Sequence, residues 1–235
     1  MGKERIWELD ALRGICILGM LVFHLLYDMT ELFALISWQL PDWLTLVGNI
    51  GARVFILLSG LCVTLGSRPV RRGLVVFGCG MACTLVTWLM WRLGFGGSTM
   101  VIRFGMLHCL GICMLLWPLT RRLPLWLLVL SGAALILAGG WIDASNVRVD
   151  SHWLFPLGLR YFGFSSGDFY PLLPGFGWFL LGAVAGKTLY HNKQSLLPKL
   201  PGVSFLCVCG RHSLPIYLLH QPIFAAALML LKEFL

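Results

Sequence analysis

Seven times along this chain an apolar stretch runs for about twenty residues, almost free of charge, before a short polar break. That is the length a helix needs to cross a hydrocarbon core about 30 Å thick. Backbone N–H and C=O groups find no water there, so each stretch must satisfy its own hydrogen bonds, and a helix does so. The stretches lie close to Ala11–Ile36, Leu46–Leu65, Gly73–Leu93, Val101–Leu119, Pro124–Ile142, Pro171–Leu189 and Ser213–Leu235. Val203–Gly210 is apolar but short and reads as a broken or interfacial helix. The expectation is an all-α, polytopic membrane protein of about seven transmembrane helices, forming one domain over residues 1–235.

Composition excludes the alternatives. The chain is 58% hydrophobic and 12% charged, with a mean hydropathy of +0.84, and no soluble domain of this length has that balance. The first stretch is too long for a signal-peptide core and lacks a small-residue cleavage site, so it is expected to remain as a span. A net charge of +8 invites a nucleic-acid reading, but the basic residues sit in short clusters between apolar runs and report topology instead. Lys3, Arg5, Arg13, Arg68, Arg71, Arg72, Arg121, Arg122, Lys187, Lys193, Lys199 and Arg211 fall on one side. Arg53, Arg92, Arg103, Arg148, Arg160 and Lys232 fall on the other. The richer side is read as cytoplasmic, which places the N-terminus inside a cell membrane and the C-terminus outside. The eight cysteines include helical i, i+4 pairs and read as packing residues; a metal site is conceivable at Cys207 and Cys209, but C-x-C alone is weak evidence, and none is expected. Gly182-x-x-x-Gly186 reads as close packing within the bundle.

Chemistry is expected where polar groups enter the spans. Asp10 is suited to cap the first helix. Arg13 follows, then ten uncharged residues lead to His24, about 16 Å deeper at helical rise. Asp28 lies four residues on, on the same face. An ionisable group at mid-membrane is costly, and a functional role is the first reading; a neutral imidazole bonded to a neighbouring helix is the bland one. A second arm, GRHSLPIYLLHQPI (Gly210 to Ile223), begins at Arg211, with Ser213 as cap and Pro215 in the first turn. His220 lies about 13 Å beyond Arg211, so His24 and His220 should reach similar depth from one face. Tyr217 is one turn away from His220. Helix starts beside Arg13, Arg211 and the Arg68, Arg71, Arg72 cluster make a natural anion site, although positive-inside topology alone also predicts such clusters.

A third arm enters from the opposite face with Arg103 and His108. Arg53 is expected to be buried and to need a carboxylate, with Asp28 and Asp168 as candidates. The connection from Asp143 to Tyr170 carries Trp153, Tyr161, Phe162, Phe164, Phe169 and Tyr170, a membrane-surface belt or a stacking face for a sugar. One basic mouth and one mixed mouth suit a donor from one side and an acceptor from the other. A small transporter or flippase with proton-carrying His and Asp residues is the alternative.

LDALRGICILGMLVFH (Leu9 to His24) resembles the first-helix signature of transmembrane acyltransferases, and GRHSLPIYLLHQPI resembles their last-helix signature. Between them, ARVFILLSGLCVTLGS, IRFGMLHCLGICMLLWP and DFYPLLPGFGWFLLGAVAG resemble bacterial relatives of the heparan-alpha-glucosaminide N-acetyltransferase catalytic domain. The resemblance covers nearly the whole chain. It implies transfer of an acyl group, typically acetyl from acetyl-CoA, to a hydroxyl or amine acceptor such as a carbohydrate reached from the other side of the bilayer. It maps the first-helix arginine to Arg13 and the intramembrane polar position to His24. The eukaryotic heparan enzyme has Asn at that position, and His24 resembles the helix histidine of bacterial polysaccharide O-acetyltransferases.

On this reading His24 is the general base, oriented by Asp28, and His220 or His108 polarises the thioester or protonates the thiolate. Arg13, Arg211, Arg68, Arg71, Arg72, Ser213 and Tyr217 line the path of acyl-CoA. Arg53, Arg103 and Asp168 face the acceptor. No nucleic acid and no metal takes part.

Overall fold

The structure is a computed structural model that describes residues 5–95 and 97–234. Lys3 of the basic tally, Gly96 of the expected Gly94–Ser98 turn and Leu235 of the last stretch lie outside the described residues. The fold is all-α and polytopic: α1 (Trp7–Tyr27), α2 (Asp42–Leu65), α3 (Pro69–Arg92), α4 (Met106–Thr120), α5 (Leu125–Ala144), α6 (Leu172–Leu189), α7 (Ser204–Arg211) and α8 (Ser213–Glu233). Among the described residues, six helices are long and apolar enough to cross a membrane. The exception among the expected seven is α4, whose 15 residues extend about 22 Å.

The reason α4 is short lies in its approach. The sequence expects helix from Val101, but residues 101–105 are extended. Their backbone is claimed by side chains: Thr84 donates to the Ile102 carbonyl (2.6 Å), Ile102 N–H donates to Thr87 (3.1 Å) and Arg103 N–H donates to Ser166 (3.0 Å). Gly167 N–H donates to the Val101 carbonyl (3.2 Å) and Tyr170 N–H to the Phe104 carbonyl (2.9 Å). Irregular backbone survives inside a membrane protein only when the protein meets its hydrogen bonds in this way.

The chain divides into two compact units, Met1–Phe55 with Asn192–Leu235, and Ile56–His191, with α2 passing from one to the other. In the first, α1 packs on α7 and α8. Glycines allow the backbones of α1 and α7 to touch: a Cβ on Gly14 would strike the Leu206 carbonyl, and one on Gly210 the Asp10 carbonyl. The α1 start differs from expectation. The helix begins at Trp7, so Asp10 sits inside the first turn, 3.7 Å from Arg5, and does not cap it. Glu8, also in that turn and buried, accepts hydrogen bonds from Ser195 Oγ and from Leu196 N–H (2.7 Å). Two carboxylates therefore already answer the positive end of α1.

In the second unit α3 packs on α4, and α6 packs on α5 and α4. Phe179, Leu180, Ala183, Leu128, Cys109 and Cys113 form its fully buried centre. Gly182 meets the Leu57 carbonyl of α2 and Gly186 meets Leu61, so this motif serves packing within the bundle, as expected. A two-residue parallel pair, β1 (Arg148–Val149) with β2 (Arg160–Tyr161), organises the long connection.

Candidate active site

The polar groups of α1 and α8 meet inside the first unit. Arg13 lies two turns into α1. Its Nη2 donates to Ser213 Oγ (3.1 Å), and its guanidinium carbon stands 6.0 Å from the centre of the Phe55 ring. Ser213 was expected as a cap, but His212 occupies that position, and buried Ser213 is the first residue of α8. Arg13 Nε is buried without a partner, and no carboxylate pairs with Arg13 among the described residues. A guanidinium thus lies against the positive end of α8 with its Nε donor unused. Two positive poles in contact call for an anion.

Farther along the same two helices stands a cluster of four side chains. His24 and His220 are perpendicular, with ring centres 4.9 Å apart, so the two histidines do reach the same level. Asp28 is 1% exposed and is the first residue of a π-helical turn, Asp28–Leu32, that continues α1. The N–H of Phe33 closes that turn by donating to the Asp28 carbonyl, five residues back (2.8 Å). A π turn inside a helix often marks a functional position.

Asp28 does not touch His24 directly. Gln221 of α8 lies between them: its Nε2 donates to both Asp28 carboxylate oxygens (3.0 and 2.9 Å), and its Oε1 lies 3.4 Å from His24 Nδ1. His220 Nδ1 donates to the Tyr217 carbonyl (2.6 Å), which leaves its Nε2 unprotonated in the neutral ring, and that Nε2 is buried without a partner. In this tautomer His220 can accept a proton but cannot polarise a carbonyl. Tyr217 thus contributes its backbone oxygen, with its ring centre 5.6 Å from that of His220. Sequence reasoning missed Gln221. Its signal was present: an uncharged amide beside His220 in an apolar span needs a partner.

The remaining sequence candidates occupy other places. Arg211 is exposed, and its Nε donates to the Cys207 carbonyl (3.1 Å), closing the last turn of α7. Arg68, Arg71 and Arg72 are exposed at the start of α3, in the second unit. Arg53 is exposed rather than buried and makes no ion pair among the described residues. A long side chain that reaches outward keeps its charge solvated and needs no carboxylate. The two acids expected to pair with it are used elsewhere: Asp28 holds Gln221, and Asp168 Oδ2 accepts the Met106 N–H at the start of α4 (2.9 Å).

In the second unit His108 is 2% exposed between the rings of Phe77 and Phe104. Its Nδ1 accepts the Gly105 N–H (3.1 Å), so its Nε2 carries the proton and donates to Thr84 Oγ1 (3.2 Å). Both ring nitrogens are occupied. Arg103 Nε donates to the Ser165 carbonyl (2.8 Å), tying the long connection to the approach of α4. Phe155, Tyr161 and Phe169 each meet the Phe164 ring, tilted or edge-on, whereas Trp153 and Phe162 are 87% and 73% exposed.

The sequence pattern of one family, described as heparan-alpha-glucosaminide N-acetyltransferase, catalytic, matches residues 5–222. No curated protein and no solved structure matches the chain. The match takes in both units and ends just beyond Gln221, so it covers α1 and the part of α8 that carry the paired histidines. On that match, this multi-pass membrane chain belongs to the heparan-alpha-glucosaminide N-acetyltransferase catalytic family.

Proposed function

We propose that the chain transfers an acyl group, acetyl in the first instance, from acyl-CoA to a hydroxyl or amine of a carbohydrate-like acceptor. The observation that carries this reading is the order of groups along α1 and α8. An unpaired guanidinium stands at Arg13, and two acceptor imidazoles stand at His24 and His220, about 16 Å farther along α1. Phosphates of CoA held at Arg13 and the start of α8 would leave the pantetheine arm to run along these helices toward the histidines. With the N-terminus cytoplasmic, the donor enters from the cytosol and the acceptor from the opposite side. The family is one of transferases, which favours transfer over the transporter alternative.

His24 Nε2 takes the proton of the acceptor O–H or N–H as the acceptor atom attacks the thioester carbon. The tetrahedral intermediate collapses, the C–S bond breaks and the CoA thiolate leaves. The proton returns to that sulfur from the histidine pair. His220, an acceptor in its neutral form, becomes a donor only after it has received this proton. His108, with both nitrogens engaged, holds the start of α4 and takes no part in the chemistry. Purified protein in detergent, given acetyl-CoA and glucosamine as a trial acceptor, should bind acetyl-CoA and release free CoA thiol. Absence of acetyl-CoA binding by calorimetry would refute the reading.

A further inference from the structure

We propose that Gln221 is a positioning residue that fixes the His24 proton on Nδ1 and so keeps Nε2 free to act; this rests on His24 being the base. The argument begins with Asp28. An ionised carboxylate only accepts hydrogen bonds, so the group facing it must donate. The Gln221 amide nitrogen is bonded to both carboxylate oxygens at 3.0 and 2.9 Å. Turning the amide over would set its oxygen against a buried carboxylate, two acceptors face to face with no water to separate them. Asp28 therefore fixes which way the amide points.

The amide in turn fixes the ring. Its oxygen faces His24 Nδ1 at 3.4 Å, and an acceptor in that place requires a proton on Nδ1. His24 then presents an unprotonated Nε2, the same state that the Tyr217 carbonyl imposes on His220. Two helices thereby hold two imidazoles in matching tautomers, one through a side-chain chain of Asp, Gln and His, the other through its own backbone. The 3.4 Å contact is long, as is common before substrate arrives, and charge gathering on the ring shortens it.

The interposed amide has a consequence that a direct Asp–His contact would lack. It passes on orientation without setting a full negative charge against the ring. A ring that has taken the acceptor's proton can then release it to the leaving thiolate.

The test reads the tautomer itself. Protein labelled with ¹⁵N-histidine in bilayers reports which ring nitrogen carries hydrogen, and the signal of His24 is assigned by its loss in His24→Asn. Wild type should show hydrogen on Nδ1. Gln221→Leu, Gln221→Met and Asp28→Asn should each move His24 to a mixture or to the Nε2–H form and slow CoA-thiol release from acetyl-CoA with glucosamine about 10²-fold. The exchange variant Asp28→Asn/Gln221→Glu puts the carboxylate beside Nδ1 and an amide behind it. It should restore the Nδ1–H form and bring turnover to within about tenfold of wild type. An unchanged His24 tautomer in folded Gln221→Met, or an exchange variant that keeps the tautomer of Asp28→Asn, overturns the proposal. Failure of the base assignment looks different: His24→Asn would turn over normally while the tautomer of wild-type His24 still answered to Gln221.

Discussion

Arg13→Met should leave the folded protein almost as stable as wild type and yet cost it much of its affinity for CoA. The guanidinium makes one hydrogen bond, to Ser213, and a bond from a charged donor is worth about 1.5–3 kcal/mol. The same side chain buries Nε unpartnered, and an unsatisfied buried donor costs about 1–3 kcal/mol. Removing both together offsets in large part, the remaining cost being the buried Ser213 hydroxyl that loses its donor, about 1 kcal/mol, and Met retains the apolar contact with Phe55. Bound phosphate changes the balance, because it supplies the missing acceptor. Loss of one charge-assisted contact of about 1.5–3 kcal/mol weakens binding roughly 10- to 100-fold. Arg13→Lys should lie between the two, since it keeps the charge but not the planar fork. Calorimetry with CoA and thermal unfolding in the same detergent measure the two quantities. A large drop in Tm with unchanged CoA affinity would show that Arg13 is structural and would remove the donor site from the start of α8.

Other variants separate chemistry from architecture. His24→Asn keeps size and polarity but cannot take a proton, so acetyl transfer should fall about 10²–10⁴-fold with acetyl-CoA binding intact; near-normal turnover would move the base to His220. His108→Phe should lower Tm by stripping partners from Gly105 and Thr84, while whatever folds should retain turnover per molecule; inactive folded protein would return His108 to the chemistry. Reporters fused to the two ends should be found on opposite sides of the membrane, and a cytoplasmic C-terminal reporter would show that the short α4 does not complete a crossing.

The apolar runs made the helices easy to place, because a membrane leaves the backbone few choices. The pairing of His24 with His220 was also legible, since comparable distances from basic helix starts imply comparable depth. Legibility failed where a polar group finds its partner across space. Asp28 was matched to His24 by the i, i+4 rule, but a residue on another helix came between them. Arg53 was given a carboxylate that its outward path makes unnecessary. Asp10 was read as a cap because Asp suits that position, but the helix begins three residues earlier, at Trp7, and Asp10 faces Arg5 instead. The start of α4 was missed for a related reason: Val101 to Gly105 leads without a break into the apolar run of α4, whereas the hydroxyls of Thr84, Thr87 and Ser166 and the backbone N–H groups of Gly167 and Tyr170 sustain a non-helical path there.

That extended path sets a timetable for synthesis. Thr84 and Thr87 have already left the ribosome when Ile102 emerges, so two of the hydrogen bonds of the segment can form at once. The Met106 amide must wait for Asp168, 62 residues later, and Arg103 waits as long for Ser165. During that interval α4 is a short helix with an unmet backbone at its mouth, poorly suited to leave the translocon for lipid on its own. Its integration is therefore tied to the arrival of the connection that precedes α6, and a nascent chain halted before residue 165 should hold α4 against α3, still short of its final partners.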